Sequence, residues 1–175
     1  MRAKAFTLTE LAAVLLVLAL LAGAAALRLE APLRRARLED VAQRIVAMDH
    51  LSRIYARQQD RSVWIEVDLA PGRLRRTDAR GRDLGAALEL PGGYRVARLL
   101  VRGPNGASQE YWTGCVAIQC SRVGLTPTYG LLLEGPAGRR QWVLLAGLTG
   151  EATEPETLDD VRKVFLAMEA GPHAG

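Results

Sequence analysis

MRAKAFTLTELAAVLLVLALLAGAAALRLE, residues 1–30, decides how this chain is read. From Leu11 to Leu27 it runs for 17 residues without a charge, at the lower limit for a helix that spans a membrane. Counted from Phe6, the apolar stretch is about 22 residues long with one interruption, Glu10. Arg2 and Lys4 precede it, and Arg28, Arg34, Arg35 and Arg37 follow it. A carboxylate at the head of an apolar helix is costly unless a cation pairs with it. Glu10 is therefore a functional candidate from the outset.

Two ordinary readings leave that carboxylate unexplained. A secretory signal has a shorter apolar region and a small-residue cleavage site, which Ala22–Ala26 imitates, but it needs no Glu at its head. A plain membrane anchor gains nothing from Glu10 either.

Beyond Pro32 the pattern changes. Leu38, Val41, Ile45, Met48, Ser52 and Tyr55 recur at threes and fours and predict a helix to about Gln59, its apolar stripe facing a sheet. Arg37, Glu39, Asp40, Arg44 and Arg53 are read as its solvent side. The period then becomes two: Val63, Ile65, Val67 and Leu69 alternate with Trp64, Glu66 and Asp68, a strand. Pro71-Gly72 turns the chain into a second strand, Arg73 to Thr77. Pro91-Gly92-Gly93 precedes a strand from Tyr94 to Arg102, and Gly103-Pro104-Asn105-Gly106 is a loop. One or two strands lie within Gln109 to Cys120. Thr128–Leu133 and Arg140–Ala146 form a hairpin around Gly135-Pro136-Ala137-Gly138. A last helix carries Leu158, Val161, Phe165 and Met168 on one face, with Thr157 and Asp160 as its cap and Gly171-Pro172 at its end. The fold class is α+β: a long N-terminal helix whose first half spans a membrane, packed on an antiparallel sheet, with a short C-terminal helix. The chain has 175 residues, and the roughly 140 beyond the N-terminal segment suffice for one domain with its own core. A net charge of +4 demands no nucleic-acid partner.

The basic start, Phe6-Thr7-Leu8, Glu10 and the apolar run resemble the N-terminal signal of type IV pilins and pseudopilins. The resemblance implies cleavage by a prepilin peptidase between Ala5 and Phe6, then methylation of the new amine. Ala5 stands where the family usually carries Gly. It implies that the Phe6 amine and Glu10 pair within or between subunits, and that Leu11, Val14, Leu18 and Leu21 pack the helix into a filament. Many major pilins carry a proline inside this helix; here the first is Pro32. The helix Ala36–Arg57, the strand after it and the Thr128–Leu131 and Trp142–Gly147 strands resemble H-type minor pseudopilins of type II secretion, grouped with FimT-type minor pilins. The C-terminal helix is not an expected part of that group. The implied organisation is a leader at 1–5, a transmembrane and assembly helix at 6–32, and a periplasmic domain at 33–175 held by a single pass in the inner membrane. The implied partners are prepilin peptidase, other major and minor pseudopilins and the inner-membrane assembly platform. The implied role is a pseudopilus subunit in protein export. The alternative is a FimT-like minor pilin of a type IV pilus that binds DNA or contributes to adhesion.

Catalytic and metal chemistry find no foothold. His50 and His173 lie more than 120 residues apart, and no nucleophile–base or metal-ligand motif accompanies them. No cofactor is expected. Cys115 and Cys120 would stand about 16 Å apart in one extended strand, too far to bridge. A turn or bulge near Ile118 would bring them together, and an oxidising compartment would preserve the bond; the alternative is two buried thiols. Gly72-Arg73-Leu74-Arg75 matches a G-R-x-R tetrapeptide of the kind linked to DNA binding in FimT-type pilins, where it lies nearer the C-terminus. Arg73, Arg75 and Arg76, with Arg80 and Arg82, are thus candidate DNA contacts, against the simpler reading of a solvated basic turn. Gly138-Arg139-Arg140-Gln141 lacks the second arginine of the motif.

Overall fold

The computed structural model describes residues 8–103 and 106–169, without the side chains of Glu10, residues 24–36, Ala137 and residues 168–169. Ala5, Phe6, the Pro104-Asn105 loop, Gly171-Pro172 and His173 lie outside the described residues. Helix α1 runs Leu8–Gln59, and the chain divides within it into two compact units, Met1–Arg37 and Leu38–Gly175.

In the first unit every apolar side chain described on α1 is exposed: Leu11, Val14, Leu18 and Leu21 lie at 48–61%. Among the described residues no helix is long and apolar enough to cross a membrane. The membrane-spanning half expected over 6–32 is therefore not among the structural findings.

In the second unit, Leu38, Val41, Ala42, Ile45 and Met48 bury the expected stripe, while Tyr55 is only half-buried. Asp60 ends the helix in the left-handed region at φ 48°, a conformation Asp tolerates better than most side chains. The Arg61 N–H then reaches back to the Ala56 carbonyl at 3.1 Å and satisfies one of the last free acceptors.

Among the described residues nine strands follow: β1 Val63–Asp68, β2 Arg73–Thr77, β3 Leu88–Glu89, β4 Arg95–Arg102, β5 Ser108–Tyr111, β6 Cys115–Cys120, β7 Tyr129–Glu134, β8 Arg140–Leu145 and β9 Ala152–Thr153. They form two antiparallel sheets, ordered β3-β2-β1-β6 and β5-β4-β7-β8-β9. The expected single sheet is thus two. The chain crosses between the sheets three times, after β3, β5 and β6; the second crossing takes three residues, where Gly114 adopts φ 87°, a conformation that favours glycine.

One core joins helix and sheets. The α1 stripe meets Ile65, Val67, Leu74 and Ile118 from the first sheet and Val96, Leu99, Leu131 and Val143 from the second. Helix α2, Leu158–Glu169, covers the opposite face of the second sheet, where Val161 and Phe165 pack on Leu100, Leu132, Trp142 and Leu144. Strands β7 and β8 are therefore buried on both faces, which explains their nearly continuous apolar runs. Thr157 caps α2 as expected, accepting from the Asp160 N–H at 3.2 Å and donating to its carboxylate at 2.6 Å.

Candidate assembly surfaces and the buried clamp behind them

The helix of the first unit is apolar on all sides: Leu15, Leu16, Val17 and Leu20 are exposed at 54–66% beside the residues above. A helix of this kind is stable only when other helices or lipid cover it. Leu11, Val14, Leu18 and Leu21 fall on one face at helical spacing. The Glu10 side chain lies outside the description.

The strongest polar feature was not expected. Arg53, read as solvent-facing, is 5% exposed and sits beside Asp49 and Tyr129, at 0% and 1%. Its Nε donates to Asp49 Oδ2. Nη1 donates to the Gly147 carbonyl at 2.7 Å and the Gly124 carbonyl at 3.4 Å. Nη2 donates to Thr126 Oγ1 at 2.6 Å and the Ala146 carbonyl at 3.1 Å. All five N–H groups of the guanidinium have an acceptor, which is what a buried arginine requires. Tyr129 Oη donates to Asp49 Oδ1 at 2.8 Å. Burial first, then the Asp49 carboxylate, raise the Tyr129 phenol well above its ordinary range. The cluster ties α1 to the loops after β6 and β8. Those loops touch: a Cβ on Gly147 would lie 2.2 Å from the Thr126 carbonyl, so only glycine fits. The sequence signal was Asp49–Arg53 at i,i+4 on the same stripe as Ile45 and Ser52.

Beside these loops an open crevice of about 1230 Å³ separates the free edges of the two sheets. Gln109 and Tyr111 of β5 line one side, Val116 and Gln119 of β6 the other, and Leu125 and Leu148 lie on the loops. Leu148 is 81% exposed.

The basic turn is largely neutralised. Arg75 meets Glu66 at 2.7 Å and Asp83 at 3.8 Å, Arg73 meets Glu89 at 3.9 Å, and Arg82 meets Asp78 at 2.7 Å. The hydrogen bond to Glu66 raises the Arg75 pKa further. Arg75 and Arg76 are successive strand residues and so point to opposite faces of the sheet. Arg73 and Arg75, the G-R-x-R arginines, alternate with Leu74 and share one face, where each is paired with a carboxylate.

Cys115 and Cys120 are both free, the first exposed and the second buried. The turn or bulge near Ile118 that a bridge would need is not formed: β6 is an uninterrupted strand. Five residues of strand hold the two sulfurs about 16 Å apart on opposite faces. Burial is the main cause that raises both thiol pKa values, so neither is activated. His50 is exposed on α1, and no cluster of metal-ligating residues occurs among the described residues.

No family model matches the chain, and no curated protein matches it in sequence. Solved structures do. The chain is similar to the minor pseudopilin EpsH from the type II secretion system of Vibrio cholerae, with a TM-score of 0.51 at 14% identity over 67% of this chain and 94% of that one. A second structure of EpsH gives 0.47 at 14% identity over 65% and 89%. At that identity the likeness is one of fold: a helix against antiparallel sheets, in the arrangement of a minor pseudopilin.

Proposed function

We propose that this chain is a minor pseudopilin of a type II secretion system, of the H-type and FimT-type group. One conjunction carries the reading: the Phe6-Thr7-Leu8-Thr9-Glu10 signal and its 17-residue apolar run stand in the same chain as a domain of minor-pseudopilin fold. Prepilin peptidase cuts between Ala5 and Phe6 and methylates the Phe6 amine. The helix then spans the inner membrane once, with the domain in the periplasm. In sequence, Phe6–Leu27 rises about 33 Å as a helix, enough for the hydrocarbon layer. The exposed leucines and valines of α1 become the packing surface once the subunit leaves lipid for a filament with other pseudopilins. The assembly platform drives that transfer, and the filament pushes exported proteins outward.

Glu10 supplies register. Transferred into a bundle without water, it needs a cation, and the Phe6 amine of its own or a neighbouring subunit offers one. Arg73 and Arg75 are paired with carboxylates of the same chain, and no observation favours the DNA-binding alternative over the export role. Glu10→Ala tests the assignment. The variant is expected to fold and be cleaved, yet to be absent from sheared pseudopili and to reduce export. Normal incorporation and export by Glu10→Ala would overturn the role of Glu10.

A further inference from the structure

The three residues that carry the chain from β5 to β6 include Trp112, 56% exposed although large and apolar. Its ring lies over the Arg98 guanidinium, with Cζ 3.6 Å from the ring centroid. Beside this stack opens a cleft of about 490 Å³, distinct from the inter-sheet crevice. Its apolar lining includes Leu69, Ala97 and Leu132, and the last two also border the cluster under α2.

Three guanidiniums reach this cleft, those of Arg95, Arg98 and Arg140, and they share two carboxylates. Arg98 Nη1 meets Glu110 at 2.9 Å. Arg95 and Arg140 divide Glu134 between them, at 3.2 and 3.5 Å. Arg98 Nε is closed off from solvent and has no hydrogen-bond partner. Arg95 and Arg140 are 61% and 64% exposed, so their hold on Glu134 is weak and readily exchanged. The cleft is therefore an apolar floor beside an exposed indole with unmatched positive charge at its rim. Trp and Arg are the residue types most enriched at binding hot spots.

We propose that this cleft docks an extended, carboxylate-bearing segment of a partner protein. An aliphatic side chain of that segment packs on Leu69, Ala97 and Leu132 beside Trp112. A neighbouring carboxylate takes the guanidinium N–H groups of Arg95 and Arg140, which form paired hydrogen bonds to such a group. The charge pattern favours a peptide over a nucleic acid. Glu110 and Glu134 stand among the arginines and repel a continuous line of phosphates, whereas a peptide carries isolated carboxylates and apolar groups for the floor. The cleft lies wholly within the second unit, so its ligand chemistry is independent of the N-terminal helix.

The test uses the full chain in zwitterionic detergent micelles. Acetyl-Glu-Leu-Glu-Leu-Glu-amide is titrated while tryptophan fluorescence and, separately, binding heat are followed. A saturable change is expected, with the fluorescence part lost in Trp112→Phe. Arg95→Gln combined with Arg140→Gln is expected to weaken binding about fivefold or more, as removal of two partly exposed charge contacts should. About 0.5 M salt should weaken it similarly, since rim charges are screened. The Gln-for-Glu peptide should bind no better than this double variant. Absence of saturable binding, an equal response to the Gln peptide, or an unchanged double variant would overturn the proposal. So would tighter binding of a short oligodeoxynucleotide that depends on the same arginines, which would assign the cleft to nucleic acid.

Discussion

Arg53→Ala should be among the most destabilising single substitutions in the domain. The change leaves Asp49, at 0% exposure, without its cation, and strips donors from Thr126 Oγ1 and the carbonyls of Gly124, Ala146 and Gly147. Removing one partner of a buried ion pair costs about 3–5 kcal/mol, because the other charge stays buried and uncompensated. That is a large part of the roughly 5–15 kcal/mol that holds a domain together. For a domain of this size it lowers the melting temperature by roughly 10–20 °C. Arg75→Ala is the control. Its side chain is 42% exposed, and loss of its pair with Glu66 should cost far less than loss of the buried pair, because solvent screens it. Arg53→Lys should fall between the two, since an ammonium keeps the charge but cannot reach five acceptors at once. Urea unfolding of the full chain in micelles, followed by the fluorescence of buried Trp142, gives all three values. If Arg53→Ala costs less than about 1 kcal/mol, or no more than Arg75→Ala, the clamp does not hold the loops as described.

Two further outcomes follow from buried groups. The folded chain keeps protons on Tyr129 and Cys120 that the unfolded chain releases above their ordinary pKa values of 10.0 and 9.0. Stability should thus be intact below about pH 9 and fall as pH rises, more steeply above pH 10; Tyr129→Phe should remove the steeper part, as unfolding at stepped pH will show. With both thiols free, maleimide should label exposed Cys115 in the native chain and Cys120 only after unfolding. A chain isolated from an oxidising compartment with neither thiol reactive after unfolding would restore the disulfide.

Much of the architecture was legible in periodicity because each element has one buried face. The alternation at Val63–Leu69 and the stripe from Leu38 to Ser52 both survive in the structure. The double burial of β7 and β8 follows from α2, whose own stripe and Thr157 cap were visible. What was missed had no local signature. Strands β3 and β9 are two residues each, too short to show a period. The split into two sheets depends on which strands pair, and the turn residues at its three crossings do not say which sheet follows. Arg53 was placed in solvent because a charge usually lies there, although Asp49 one turn earlier was already its partner. The Arg98–Trp112 stack and the cleft beside it join β4, β5 and β7 at long range, beyond any motif. The separation of Cys115 from Cys120 depends on whether β6 runs straight, which their spacing did not decide.

The N-terminal signal gives the account its most direct test: the intact mass of the chain recovered from membranes of cells that contain prepilin peptidase. The recovered chain is expected to begin at Phe6 and to carry one added methyl group. A chain that keeps Met1, or one cut near Ala26, would contradict it.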